Sequence, residues 1–530
     1  MGGLGPGCCA RGAQCRAWLP VNCGGMRPTN TITLMPASPV QSPSVMDDVF
    51  QQALSAHQSG ELTMARQLYA QVLAARPDHA DALHLMGIIH CVEGRLEEGA
   101  AMIAGAVALQ PQVAIYQNSL GNAMQELGRI DMAVACFTRA LKLAPDMPEA
   151  LLNRGNAWRK AGRSRDAAQD YEAGLALRPG AVELLVNLGI ALHGMGRLDA
   201  ALARYDEALA VEPSSARALW NKALVLLSQG DFEHGLPLYE WRFPVTGRPY
   251  PHESFNVPQW TGQQPLAGRT ILLHDEQGLG DTLQFCRYVR LVAAQGAKVL
   301  LQVQPELVPL LKGLEGAAQV IARGGALPPF DCHAALPSLP LAFGTRVESI
   351  PAYSSYISSS AGPDMKWADR AGRTALPRIG ITWSSTSTFD DDVRRSVALS
   401  DFLAALPAQG FDYICLQKEV KPQDEAVLAS RPDIRFFGGE LRDFSDTAAL
   451  AATCDLVIST CTSVPHLAGA MGKPTWVLLS NAPDWRWLET RSDSPWYPSV
   501  TLYRQTAPGD WADVFARVRE DLETLGTTLS

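Results

Sequence analysis

No run of apolar residues in this chain approaches the length of a bilayer span, so no transmembrane segment is expected and the chain reads as soluble. A basic excess is lacking as well: 45 Lys and Arg stand against 54 Asp and Glu, for a formal net charge of -9. That balance argues against a general nucleic-acid binder, which needs a positive face to meet phosphates. Close cysteine pairs are missing outside the first 25 residues. The seven cysteines Cys91, Cys136, Cys286, Cys332, Cys415, Cys454 and Cys461 stand singly, several inside apolar patterns where a thiol serves as a small hydrophobe. Near the start, Cys8, Cys9, Cys15 and Cys23 follow no familiar zinc spacing and have no histidine close by. An odd total of 11 without a framework points to a reducing compartment. No positive-then-apolar leader opens the chain, so the expectation is a cytoplasmic protein that holds no metal.

What is present begins with length. A chain of 530 residues exceeds one core and suggests about three domains. Residues 1–45 are rich in Gly, Pro, Ser and Thr and lack periodicity, which reads as a disordered extension; a true start at Met46 is the alternative. A repeat then sets in. Pro77, Pro111, Pro145, Pro179 and Pro213 are spaced 34 residues apart, as are Gly60, Gly94, Gly128, Gly162, Gly196 and Gly230. Gly87, Gly121, Gly155 and Gly189 form a second glycine series, and Tyr69, Ile103, Phe137, Tyr171, Tyr205 and Tyr239 a bulky one. The first glycines suit a turn between helices, and the second suit close approach of paired helices. The proline ends one repeat, and the bulky residue packs the second helix. This pattern resembles the tetratricopeptide repeat in six copies over residues 46–245. Such a solenoid implies a groove for a protein or peptide, with a spacer or dimerisation arm as the alternative. Asn122, Asn153, Asn156, Asn187 and Asn221 are the candidate groove residues, either clamping an extended partner or hydrogen-bonding between repeats.

Beyond Trp241-Arg242 the period stops, and short β-branched runs alternate with helical stretches. Strands are expected at Ile271–Leu273, Val299–Val303, Val320–Ile321 and Cys332–Leu336, then at Arg378–Trp383, Tyr413–Leu416, Ile434–Phe437, Leu456–Ser459 and Thr475–Leu479. One helix is expected over Thr282–Ala294 and polar loop over residues 360–377. Two such series predict two parallel-sheet lobes with a ligand cleft at the carboxyl ends of their strands.

Three strand-to-helix loops carry the candidate chemistry. In Glu276-Gln277-Gly278-Leu279-Gly280-Asp281-Thr282, Gly278 and Gly280 let backbone approach a ligand, and Asp281 at a helix start is either a general base or a cap. The loop Ser384 to Ser396 is rich in hydroxyls and ends in Arg394 and Arg395, which suits a diphosphate or a solvated surface. The third, Ser459 to His466, offers hydroxyls at a helix N-terminus, for an anion or for plain capping.

Together these segments resemble bacterial tetratricopeptide-repeat glycosyltransferases related to the heptosyltransferase family of GT-B enzymes. The resemblance lies in Gln277-Gly278-Leu279-Gly280-Asp281-Thr282 with Phe285-Cys286-Arg287-Tyr288, and in Thr462 through Pro474. It continues in Ala482-Pro483-Asp484-Trp485-Arg486-Trp487 and Ser494-Pro495-Trp496-Tyr497-Pro498. It implies a solenoid over 46–245, an acceptor-side Rossmann-like lobe over 246–376 and a nucleotide-sugar-binding lobe over 377–530. It also implies Asp281 as catalytic base, with Arg395, Thr462, Ser463 and His466 on the donor diphosphate. The implied activity is metal-independent, inverting transfer from a nucleotide-sugar substrate to a hydroxyl of a protein or glycan, with no cofactor. The family has aspartate where Cys461 stands, glycine at Ser385 and a small residue other than proline at Pro465. The competing expectation is a repeat scaffold whose transferase region has lost catalysis, with or without retained nucleotide binding.

Overall fold

A computed structural model describes residues 45–247, 255–359, 361–385 and 396–529. It divides into two compact units, Met1–Ala191 and Leu192–Ser530. The expectations for the N-terminal extension and for Arg395 lie outside the described residues.

The 34-residue period is realised as helix pairs. They are α1 Val45–Gln58, α2 Leu62–Ala75, α3 Ala80–Val92, α4 Leu96–Leu109, α5 Ala114–Glu126, α6 Ile130–Leu143, α7 Pro148–Lys160, α8 Ser164–Leu177, α9 Val182–Gly194, α10 Leu198–Val211, α11 Ala216–Ser228 and α12 Phe232–Tyr239, followed by the short α13 Arg242–Val245. The turn glycines between paired helices have positive φ, from 71° at Gly196 to 85° at Gly94, a region costly for any residue with a β-carbon. The second glycine series does what its size predicts. A β-carbon on Gly155 would lie 2.5 Å from the Tyr171 ring, and one on Gly121 equally close to Phe137. Gly155→Ala therefore over-packs the α7–α8 pair, with an expected cost of about 1–3 kcal/mol read as a lower melting temperature.

The rest of the chain forms two sheets, parallel throughout their described strands. β1 Thr270–His274, β2 Lys298–Val303, β3 Ala317–Ala322 and β4 Cys332–Ala335 pair in the order β3-β2-β1-β4. β5 Arg378–Thr382, β6 Asp412–Cys415, β7 Ile434–Phe436, β8 Leu456–Thr460, β9 Thr475–Leu479 and β10 Val500–Arg504 pair in the order β10-β9-β8-β5-β6-β7. Every residue of β5 and of β8 is buried, as befits central strands covered on both faces. Alternation divides the side chains of β5, β6 and β8: Ile379, Ile381, Tyr413, Cys415 and Ile458 join one cluster, Ile414 and Val457 another.

A third core crosses the expected border at residue 245. Ala223, Leu227, Phe232, Leu236 and Tyr239 from the last repeat share it with Ile271 and Leu273 of β1, and with Trp485, Trp487 and Trp496. The last repeat is thus built into the α/β unit.

Two local expectations need correction. Residues Ala361–Ala371 form a helix rather than polar loop. Its anchor is Trp367, fully buried, whose indole N–H donates to Asp446 Oδ1 at 2.9 Å. The helix expected over Thr282–Ala294 starts earlier and breaks into Leu279–Phe285, a 3-10 turn at Cys286–Tyr288 and Val289–Ala294. The break accompanies the buried Arg287, which turns back to donate to Gln284 O at 2.8 Å and also reaches Tyr356 Oη at 2.9 Å. β10 and a helix at Pro422–Ala429 escape the sequence reading altogether.

Candidate active site

Strand order alone singles out two places. In the first sheet β1 has β2 on one side and β4 on the other; in the second, β5 and β8 are the neighbours from which the order runs outward in both directions. Crevices for ligands open beyond the carboxyl ends of strands at such switch points. The loops there are Asp275–Gly278 after β1, Leu336–Ser338 after β4, Trp383–Ser385 after β5 and Cys461–Thr462 after β8. The three loops picked out by sequence are among them.

The two lobes meet along α14 Leu279–Phe285 and α15 Ser463–Ala470. Gly280 permits that meeting: a β-carbon there would lie 2.9 Å from His466 Cδ2 and 3.6 Å from its Nε2. His466 is buried and fixed on its other sides. Its Nδ1 lies 2.9 Å from the Tyr497 hydroxyl, and its ring stacks on Trp487 with centroids 5.1 Å apart. Trp487 in turn donates its indole N–H to Cys461 Sγ at 3.1 Å. The thiol at Cys461 is thus the acceptor for a tryptophan N–H.

Asp281 uses both carboxylate oxygens. Oδ2 accepts from Gly278 N–H at 2.8 Å, which caps its own helix, and Oδ1 is ion-paired with Arg486 Nη2. Arg486 is shared: its Nη1 donates to Asp484 Oδ1 at 2.9 Å and Oδ2 at 3.0 Å. Burial pushes the Asp281 pKa above the ordinary carboxylate value, against the pull of the Arg486 charge. For Asp484, burial also opposes the charged form, but Arg486 outweighs it and the pKa falls. The two carboxylates on one guanidinium are therefore set apart, the Asp281 pKa raised and the Asp484 pKa lowered. Asp281 keeps 20% of its side chain exposed, so a solute can reach it.

Arg486 and Asp484 lie in the Asp484-Trp485-Arg486-Trp487 run, which sequence reading took as family resemblance without assigning it a role. Their signal was a conspicuous charged-aromatic run after β9. The turn that follows is strained. Leu488 has φ 56° and ψ -172°, a region nearly confined to glycine and costing about 1–3 kcal/mol. Arg504, at the end of β10, holds that turn by donating to Trp487 O and to Arg491 O.

Thr462 is the N-cap of α15, its Oγ1 accepting from Val464 N–H at 3.3 Å; Ser463 is its first residue, and both are half-exposed. At the head of the hydroxyl loop, Gln417 accepts from Trp383 N–H at 2.8 Å and Ser384 N–H at 3.1 Å, which fixes where that loop leaves β5. In the repeats, Asn153 Nδ2 donates to Asn118 at 3.1 Å and Asn187 Nδ2 to Asn156 at 3.2 Å; Asn156 also accepts from the Tyr171 hydroxyl. Asn221 donates to Arg217 O at 2.8 Å, and Asn122 is half-exposed. These contacts follow the repeat-to-repeat alternative for Asn153, Asn156 and Asn187. Among the described residues no helix is long and apolar enough to cross a membrane.

A tetratricopeptide repeat profile matches residues 50–114, 118–182 and 186–240. Protein FlbA of Caulobacter vibrioides is 27% identical over 309 residues, which is 54% of this chain and 51% of that protein. The chain thus spans about half the length of this curated relative. Among solved structures, MamA is 22% identical and covers 33% of this chain and 99% of its own, with TM-score 0.30. YrrB, described as a repeat protein with an unusual peptide-binding site, gives 22%, 33%, 91% and 0.30 in the same terms. PilF of Pseudomonas aeruginosa gives 18%, 40%, 96% and 0.35. The chain is a tetratricopeptide-repeat array joined to two parallel α/β lobes, distantly related to FlbA.

Proposed function

We propose that the α/β half is a GT-B glycosyltransferase that moves a sugar from a nucleotide-sugar to a hydroxyl of a protein or glycan, with the repeats recruiting the acceptor or a partner. The observation that supports this reading is the meeting of the loop after β1 with the second sheet's loops: Asp281 pairs with Arg486, and Gly280 beside it packs on His466 at the start of the helix after β8. Asp281 takes the proton of the acceptor hydroxyl, whose oxygen attacks the anomeric carbon from the face opposite the leaving group. The nucleoside diphosphate departs with the bonding pair and inverts that carbon. Its charge is met by the N-terminus of α15 at Thr462 and Ser463, with His466 beside them and Arg395 assigned by resemblance. The nucleotide-sugar is a substrate, and the residues named require no metal or cofactor.

Cys461 favours a second reading. Where the family carries an acid for the donor sugar, this chain has a thiol accepting from Trp487. A scaffold that still binds nucleotide would tolerate that change. The test is a thermal-shift panel of ADP-, GDP-, UDP-, CMP- and dTDP-linked sugars on wild type and Arg395→Ala. A donor at about 100 times its dissociation constant stabilises the fold by about 2.7 kcal/mol. A shift for one nucleotide class, lost in Arg395→Ala, is the expected result. No shift with any donor leaves the repeat scaffold as the function, and a shift without transfer of the sugar leaves a scaffold that binds nucleotide.

A further inference from the structure

We infer that Tyr239 and Arg242, at the end of the repeats, are positioning residues for the loop that carries Asp281. The inference rests on Asp281 being the base of the proposed reaction, and it assigns that loop's geometry to side chains of the repeat end. Arg242 is fully buried, and all of its donors are occupied. Nε lies 3.0 and 3.1 Å from the two oxygens of Glu276, and Nη2 lies 2.7 Å from Glu276 Oε2 and 2.7 Å from Ser338 Oγ. Nη1 donates to Tyr239 O at 3.2 Å and to Glu240. Glu276 follows β1 and Ser338 follows β4, so one guanidinium ties the repeat end to both loops at the first sheet's switch point.

Tyr239 grips the next residue along. Gln277 Nε2 donates to the Tyr239 hydroxyl at 2.9 Å, and that hydroxyl lies 3.2 Å from Gln277 Oε1. Gly278 follows, with its N–H on Asp281. From Glu276 to Asp281 the repeat end holds the first two residues by their side chains, while Gln304 donates to Gln277 O at 3.2 Å and Arg486 pairs with Asp281. Packing alone would not call for this arrangement. A buried ion pair is often no more stabilising than apolar residues of the same volume, whereas its directional bonds fix orientation. The Tyr239 ring also lies against Trp485, 5.8 Å between centroids, so the same side chain touches the run that carries Arg486.

The test uses the full chain with Tyr239→Phe, which keeps the ring and removes the hydroxyl, and Gln277→Met, which removes the partner from the loop side. Hydrogen–deuterium exchange is followed on the peptide covering residues 275–284, and donor turnover is measured on the sugar nucleotide that gives the thermal shift. The expected result is exchange in that peptide faster by about tenfold, with the strands of the second sheet unchanged. With it, kcat falls by about tenfold while KM for the donor holds, since a displaced base costs rate rather than binding. Wild-type exchange in both variants, or faster exchange with unaltered kcat, overturns the inference. If wild type binds no sugar nucleotide, the transferase reading fails separately, and the exchange measurement still decides whether the repeat end orders the loop.

Discussion

Asp281→Asn is expected to lower donor-to-acceptor transfer by about 10²–10⁴-fold while leaving the thermal shift with nucleotide intact, the usual size of a general-base contribution. The amide preserves the shape of the carboxylate and its oxygen can still accept from Gly278 N–H, while its NH2 replaces the oxygen that faces Arg486 and the proton acceptor is lost. The pH profile adds a sign. Burial raises the Asp281 pKa and Arg486 pulls it back. Activity therefore falls as pH drops through that raised value, because only the ionised carboxylate accepts a proton. Arg486→Met removes the opposing charge, so the acid limb should move to higher pH. Arg486→Lys keeps the charge and loses the fork that spans Asp281 and Asp484, so the limb should stay near its wild-type position while kcat declines. An acid limb that stays put in Arg486→Met would sink the assignment of Asp281 as the titrating base.

Arg242→Ala is expected to destabilise the protein by about 3–5 kcal/mol, because it leaves the buried Glu276 charge without its partner. The informative variant is the double one. Arg242→Met with Glu276→Leu removes both charges and fills the space, and it should recover most of the lost stability. It should not recover turnover, since Ser338 and the loop after β1 then lack the common donor that orients them. Urea unfolding paired with steady-state kinetics separates the two. If activity returns with stability, the ion pair serves packing alone.

Much of the architecture was legible because it rests on period. A 34-residue repeat with turn glycines and small helix-contact glycines leaves little choice, and the φ values at Gly94 and Gly196 and the Phe137 and Tyr171 contacts agree with it. Strands buried on both faces, such as β5 and β8, showed as short apolar runs. The helix at Ala361–Ala371 did not show, since what holds it is distant in sequence: the Trp367 bond to Asp446, the packing of Trp367 and Ala371 against Phe437 and Leu450, and the Arg370–Glu440 pair. At the site, Asp281, Gly280 and His466 stood out as loop residues after strands. Arg486 did not, although its motif was noticed, because its role depends on Asp281, 205 positions away in sequence. In the sequence Arg242 marks only the place where the period stops. Only the fold reveals that its guanidinium reaches Glu276.

The shared core of Ala223, Leu227, Phe232 and Leu236 with Ile271 and Leu273 bears on which repeats can be exchanged for others. Exchanging repeats between related chains at the border that the period suggests, near residue 245, would cut through that core and strip Arg242 and Tyr239 from their loop. A graft that joins foreign repeats ahead of Leu192 leaves the compact unit whole. The interchangeable part of this protein is therefore shorter than its repeat count, and its final repeats belong to the machinery they were thought only to serve.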